Sequence, residues 1–72
     1  MALSYKQKYG IVGALCCERA AEYKQRVVRL GVWTKEEEKE IFAFVDTLAP
    51  HFKKIDGHVP VAVQKILADA RK

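Results

Sequence analysis

The chain has 72 residues, of which 50% are hydrophobic and 31% are charged, with a formal net charge of +4. This composition is typical of one small folded domain over residues 1–72, and the length excludes a dinucleotide-binding fold. So short a chain buries only about 60% of its unfolded surface, so we expect marginal stability unless a disulfide, a metal or a second copy adds to it.

Residues 3–30 predict one long α-helix, because apolar side chains recur at spacings of three and four. They form a narrow stripe of Tyr5, Tyr9, Val12, Cys16, Ala20, Tyr23, Val27 and Leu30. Gly10 and Gly13 weaken the first two turns. A helix that starts only near Ile11 or Ala14 is therefore the alternative.

A second helix is predicted from Thr34 onward. Gly31 is placed to end the first helix in a left-handed conformation. Thr34 and Glu37 have the spacing of a capping box, and Pro50 requires the helix to stop by about Ala49. Its apolar face is formed by Ile41, Phe42, Phe44, Val45, Leu48 and Ala49.

The last segment, residues 50–72, predicts a short helical turn and a third main helix. The turn covers residues 51–55, and Pro60 suits the first position of the helix. The buried face of that helix is Val59, Val63, Ile66, Leu67 and Ala70. No stretch alternates with a period of two, so we expect an all-α fold: a small bundle of three main helices, the first long and the others shorter and amphipathic, with a short fourth turn.

No membrane span or export signal is predicted. The longest uninterrupted apolar run, residues 14–17, is far shorter than the roughly 20 residues that a spanning helix needs. The amino-terminal region lacks the pattern of a signal peptide. Cys16 and Cys17 are adjacent and cannot form a disulfide of ordinary geometry. We therefore expect a cytoplasmic protein with reduced thiols and no membrane partner.

No catalytic, metal or cofactor site is predicted, so we expect no enzyme activity. The hydroxyl residues Ser4, Thr34 and Thr47 do not lie in a nucleophile motif. Side chains of adjacent helical residues diverge by about 100°. Cys16 and Cys17 therefore cannot easily bind one ion, and structural zinc sites space their cysteines further apart.

Charge is unevenly distributed along the chain. Residues 1–32 hold six basic and two acidic groups (+4), residues 33–49 hold two and five (−3), and residues 50–72 hold five and two (+3). An acidic helix thus lies between two basic segments. Such a pattern indicates electrostatic matching within the fold, or alternatively a basic face that meets nucleic acid or an acidic partner.

The apolar excess of the first helix favours an interaction protein. Ile11 and Leu15 point away from the stripe, so the helix is apolar nearly all round, as in an interface or a fully wrapped core helix. We predict a small non-enzymatic regulator, adaptor or inhibitor that binds another protein and forms a homodimer. The predicted interface residues are Ile11, Leu15, Tyr5 and Tyr9.

Trp33 is expected to fix the turn between the first two helices, with an exposed anchor for a partner as the alternative. The opening Trp33-Thr34-Lys35-Glu36-Glu37 resembles the start of a Myb or SANT repeat, which implies helical DNA binding from Trp33 onward. The chain departs from that family because its second helix is too short and no tryptophan recurs in its last helix. The family is therefore not assigned.

A small basic helical DNA-binding protein is the alternative function. In that case the last helix would lie in a groove of the duplex, and nearby lysines would contact phosphates. The candidate nucleic-acid-binding residues are Lys53, Lys54, Gln64, Lys65 and Arg71. Asp69, on the flank of this face, argues against it.

Overall fold

The computed structural model describes residues 3–71, and within them the chain is helical with no strand. The prediction of an all-α fold is confirmed. A short 3₁₀ turn precedes the last helix. The elements in chain order are α1 (Tyr5–Leu15), α2 (Ala20–Leu30), α3 (Lys35–Leu48), the 3₁₀ turn (Ala49–His51) and α4 (Val61–Ala70).

The prediction of a single helix over residues 3–30 is wrong, because the chain leaves the helix after Leu15 and starts a new one at Ala20. A straight helix of that length would extend about 42 Å. The longest dimension of the Cα trace is 30 Å. Folding back at residues 16–19 lets α1 and α2 both pack against α3. No glycine or proline marks this turn, so tertiary packing overrides local helix propensity there.

A capping box fixes the start of α1. The Ser4 hydroxyl accepts a hydrogen bond from the backbone N–H of Gln7 over 3.1 Å, and the Gln7 side-chain oxygen accepts one from the Ser4 N–H over 2.8 Å. These bonds satisfy two of the N–H groups that a helix start leaves unpaired. The alternative start near Ile11 or Ala14 is therefore wrong.

The predicted start of α3 and the predicted end of the helix before it are confirmed. The Thr34 hydroxyl accepts from the Glu37 N–H over 3.1 Å, and the Glu37 carboxylate accepts from the Thr34 N–H over 3.0 Å. Gly31 caps α2 with a φ of 63°, a left-handed conformation that glycine adopts without steric cost. Both signals are local, which explains why the sequence reveals them.

The connection between α3 and α4 differs in detail from the prediction. The helical turn expected over residues 51–55 occurs earlier, at Ala49–His51, and Pro60 is the N-cap of α4 rather than its first helical residue. The following loop is attached to the α1–α2 turn by a hydrogen bond from the Gly57 N–H to the Cys16 carbonyl oxygen, 3.1 Å long.

Within residues 3–71, the hydrophobic core lies where the four helices meet. Its buried members are Ile11, Val12, Leu15, Cys16, Tyr23, Val27, Ile41, Val45, Leu48, Val63 and Leu67. The predicted apolar faces of α3 and α4 supply the last five. The predicted stripe of the first segment is only partly right, since Tyr9 and Leu30 are 62% and 60% exposed. The turn at residues 16–19 ends the common stripe, so residues on either side of it no longer share one face.

Basic side chains from both neighbouring helices lie on α3. Lys24 of α2 forms an ion pair with Asp46, and its Nζ lies 5.6 Å from the centroid of the Phe42 ring. Lys8 of α1 is placed similarly, 5.7 Å from the centroid of Phe44. Exposed interactions of this kind contribute up to about 1 kcal/mol each. They account for part of the charge matching expected from the sequence.

Candidate functional site

The four predicted interface residues are not together on one surface. Ile11 and Leu15 are 3% and 2% exposed within the single chain. Tyr5 is half-buried and stacks on the exposed Tyr9, with ring centroids 6.1 Å apart. Ile11 and Leu15 are thus buried within one chain, and their contact with a second chain stays a prediction. The fold-back of α2 accounts for this burial, because it allows α1 to be covered by its own chain.

The five predicted nucleic-acid-binding residues lie in a loop, in α4 and at the C-cap of α4. Lys53 and Lys54 lie in the loop before α4, and Lys65 is exposed on the helix. The other two are engaged within the chain. The Gln64 side-chain amide donates to the Val59 carbonyl over 3.0 Å, and the Arg71 guanidinium lies 5.5 Å from the centroid of the Tyr5 ring.

The loop does bring several basic side chains together. His51, Lys53, Lys54 and His58 line a shallow hollow of about 230 Å³. Asp56 lines the same hollow and accepts a hydrogen bond from the His58 N–H over 3.1 Å. The hollow is thus basic with one internal carboxylate.

A larger feature is an apolar groove of about 300 Å³ between α1 and α2, which we call the α1–α2 groove. One wall is formed by Gln7, Gly10, Ile11 and Ala14 of α1, together with Leu3, which precedes the helix. The centre of this wall is small, because Gly10 has no side chain and Ala14 has only a methyl group. A Cβ atom built on Gly10 would meet nothing within 4 Å, so the groove is open at that point.

The opposite wall of the α1–α2 groove is formed by Tyr23 and Arg26 of α2. The Arg26 guanidinium lies 5.2 Å from the centroid of the Tyr23 ring and pairs with Glu18 over 2.6 Å. The Arg26 side chain is 48% exposed, so it stands at the edge of the groove. Burial of the Tyr23 phenol raises its pKa above the ordinary value; Arg26 opposes this rise and Glu18 adds to it.

Trp33 and Ile41 complete the floor of the α1–α2 groove. Trp33 is half-buried and lines the groove, which agrees with its expected place at the turn between helices. Tryptophan and tyrosine are enriched at binding surfaces because one end is apolar while the other can form hydrogen bonds. The arrangement is therefore suited to holding apolar side chains.

Exposed apolar residues continue beyond the groove at the end of α2. Val28, Leu30 and Val32 are 53%, 60% and 70% exposed. Leu30 follows Arg26 by four residues, so both project from the same side of α2. Val28 lies on the other side, beside Phe42 and Lys24. Leu30 thus extends the apolar surface of the groove along α2.

The two cysteines occupy different environments. Cys16 is buried and Cys17 is exposed. Burial raises the pKa of the Cys16 thiol, and the neighbouring Cys17 and Asp56 add to the rise. Among residues 3–71, no group of three or more histidine, cysteine, aspartate or glutamate side chains is arranged to hold a metal ion. No helix in that range is long and apolar enough to cross a bilayer.

Comparisons with known proteins found no match, whether to family models, to curated proteins or to solved structures. The α1–α2 groove itself was not predicted from the sequence. Its only local sign is the pair of small residues Gly10 and Ala14, four positions apart on one face of α1. The opposite wall depends on the fold-back at residues 16–19, for which the sequence contains no turn residue.

Proposed function

We propose that this protein is a small non-enzymatic regulator or adaptor that holds a segment of another protein in the α1–α2 groove. The observation that carries the proposal is the groove itself, about 300 Å³ with Trp33 and Tyr23 in its lining. A concave, mostly apolar site with a few polar groups at its edge is the usual form of a binding site. Leu30 enlarges the apolar area available to a partner.

The polar groups of the groove support binding rather than catalysis. Apart from the Tyr23 phenol and the Trp33 indole N–H, the lining offers the Gln7 amide and the Arg26 guanidinium. Neither is a nucleophile or a general base at neutral pH. Both can donate hydrogen bonds that orient a bound segment.

The homodimer predicted through Ile11 and Leu15 is not part of this proposal, because both side chains contribute to the core of one chain. Self-association through the α1–α2 groove is instead an outcome that the test must distinguish. Sedimentation equilibrium over a range of protein concentrations reports self-association, and its loss in Gly10→Leu would assign that association to the groove.

The test selects binders from a display library of linear random peptides on the full chain. Trp33 is the only tryptophan and lines the groove, so its emission reports occupancy when a peptide lacks tryptophan. Gly10→Leu fills the groove and should weaken binding by roughly tenfold or more. Gly13→Leu is the matched control, since Gly13 is also exposed on α1 but does not line the groove. Binders that leave Trp33 emission unchanged and tolerate Gly10→Leu would refute the proposal.

Phosphate-backbone binding is the second candidate function, and the basic hollow before α4 is the observation that favours it. Lys53 and Lys54 lie beside His51 and His58 in this hollow. Clustered basic groups bind duplex phosphates in a strongly salt-dependent way. The carboxylate of Asp56 in the same hollow reduces the positive potential.

This second candidate is tested by fluorescence anisotropy with labelled mixed-sequence duplex DNA. Six bound phosphates would lower the affinity on the order of 10³-fold between about 50 and 200 mM salt. The double variant Lys53→Ala, Lys54→Ala should lower the salt slope by about one for each phosphate that the protein no longer neutralises. Absence of binding at the lower salt concentration would eliminate phosphate-backbone binding and would leave the proposed binding of a protein segment in the α1–α2 groove unaffected.

A further inference from the structure

The geometry points to an amphipathic α-helix, with an apolar face and acidic side chains along its edges, as the segment that occupies the α1–α2 groove. This inference rests on the proposed function and specifies the partner. It follows from three features of the groove: the hydrogen-bonding state of its walls, its length and width, and the charges at its edges.

The walls of the groove favour a helical occupant over an extended one. Both walls are α-helices, in which backbone groups are paired internally, and residues 3–71 contain no strand to whose edge a peptide could add. An extended peptide would leave its own N–H and C=O groups unpaired against an apolar surface, which is costly. A helix satisfies its backbone internally and needs only an apolar face to bind.

The length of the groove sets the length of the helix. Within α1 the lining residues run from Gln7 to Ala14, and Leu3 extends the lining before the helix begins. Gln7 and Ala14 are separated by a rise of about 10 Å, so an occupant lying along this wall would contact α1 over about two turns. Its apolar anchors would recur at positions i, i+3 or i+4, and i+7.

Small residues in the α1 wall allow a close approach. Gly10 and Ala14 are one turn apart and face the groove. The distance between packed helix axes varies between about 8 and 10 Å according to the side chains at the contact. With glycine and alanine on one side, larger anchors such as leucine on the partner can reach Trp33 and Tyr23.

One cation lines the groove, and a second lies outside the lining on the α1 side. Arg26 lines the groove from α2, and its ion pair with Glu18 uses only part of a guanidinium group that has five N–H donors. Lys6 is exposed on α1 and precedes Gly10 by four residues, so both lie on the same side of that helix. Acidic residues flanking the apolar face of a partner helix would meet these two charges.

The inference is tested with two synthetic peptides of about 14 residues that share one leucine face and lack tryptophan. In one peptide the flanking positions are glutamate, and in the other they are lysine. Isolated helices this short are marginal in water, so binding should raise the peptide helicity measured by circular dichroism while shifting Trp33 emission. At low salt the lysine peptide should bind roughly tenfold more weakly, and the difference should shrink as salt increases.

Charge reversal at one edge isolates the electrostatic part. Lys6→Glu should reduce the ratio of the affinity for the glutamate peptide to that for the lysine peptide by roughly threefold. Lys65→Glu is the matched control, because it makes the same change of net charge at an exposed position on α4, outside the groove lining. The control should leave most of the preference intact.

Failure of the inference differs from failure of the proposed function. If display-selected peptides occupy the groove and are blocked by Gly10→Leu, but bind without helicity or without acidic flanks, the inference is overturned and the proposed function stands. Equal affinity for the two model peptides overturns the charge preference. The inference and the proposed function are both overturned if no peptide changes the Trp33 emission. They are also both overturned if sedimentation equilibrium shows self-association that Gly10→Leu abolishes.

Discussion

The backbone N–H of Gly57 donates a hydrogen bond to the carbonyl oxygen of Cys16, over a distance of 3.1 Å. The two residues are 41 positions apart (57 − 16) and belong to the loop before α4 and to the turn between α1 and α2. The bond satisfies a carbonyl at the end of α1 that has no partner within the helix. It also holds the entry to α4 beside the turn that makes the groove.

Gly57→Ala should therefore destabilise the domain. Gly57 has a φ of 78°, where a side chain costs about 1–2 kcal/mol. We expect the free energy of unfolding in urea, followed by circular dichroism, to fall by that amount. Gly13→Ala provides the contrast, because an exposed glycine inside a helix gains about 0.5–1 kcal/mol on replacement by alanine. An unchanged stability for Gly57→Ala would contradict the left-handed conformation of this residue.

Leu15→Asp should unfold the protein rather than dissociate a dimer. Loss of a buried leucine and introduction of a carboxylate together cost on the order of 3 kcal/mol or more, a large part of the stability of so small a domain. Far-ultraviolet circular dichroism should show loss of helix at every protein concentration. Leu30→Asp, at a position 60% exposed, should keep the native spectrum. A folded monomer of Leu15→Asp would support the dimer interface instead.

The two thiols should react at very different rates. Cys17 is exposed, whereas Cys16 is buried and its raised pKa lowers the fraction of reactive thiolate at any given pH. In the native protein, iodoacetamide should modify Cys17 first. The single-cysteine variants Cys17→Ser and Cys16→Ser separate the two rates, and urea should abolish the difference. Equal native rates would show that Cys16 is accessible.

Stability should fall at alkaline pH because of Tyr23. Burial raises the pKa of its phenol above the ordinary value of 10.0, so the folded state favours the neutral form. The stabilisation is complete below about pH 10 and is lost as pH rises through the folded pKa, because the unfolded chain ionises first. The free energy of unfolding measured at about pH 8 and pH 11 should differ less in Tyr23→Phe than in the unmodified protein.

The sequence is informative wherever the structural signal is local. Thr34, Glu37 and Gly31 lie within seven consecutive positions, and they determine the start of α3 and the end of α2 through hydrogen bonds and backbone conformation alone. The apolar spacing of α3 and α4 likewise predicts which side chains are buried. Ser4 and Gln7 form an equivalent local signal for α1, although it was not predicted.

The turn between α1 and α2 could not be predicted, because no residue at positions 16–19 disfavours a helix strongly. Arg19 is the N-cap of α2 without a side-chain hydrogen bond. The energy that favours the turn comes from burying Ile11 and Leu15 against distant parts of the chain. The α1–α2 groove depends on this turn, so the sequence did not predict the groove either.

The order in which helices meet along the chain has a consequence for folding kinetics. Most of the packing joins segments that are neighbours in the chain: α1 with α2, α2 with α3, and α3 with the 3₁₀ turn. These contacts close only short loops, so they should form rapidly. Docking of α4 onto α1 joins the two ends of the chain and requires the largest loop closure. During folding, α1 should therefore be the last helix to gain complete protection from hydrogen exchange. In the native protein, transient undocking of α4 should expose α1 before the rest of the bundle opens.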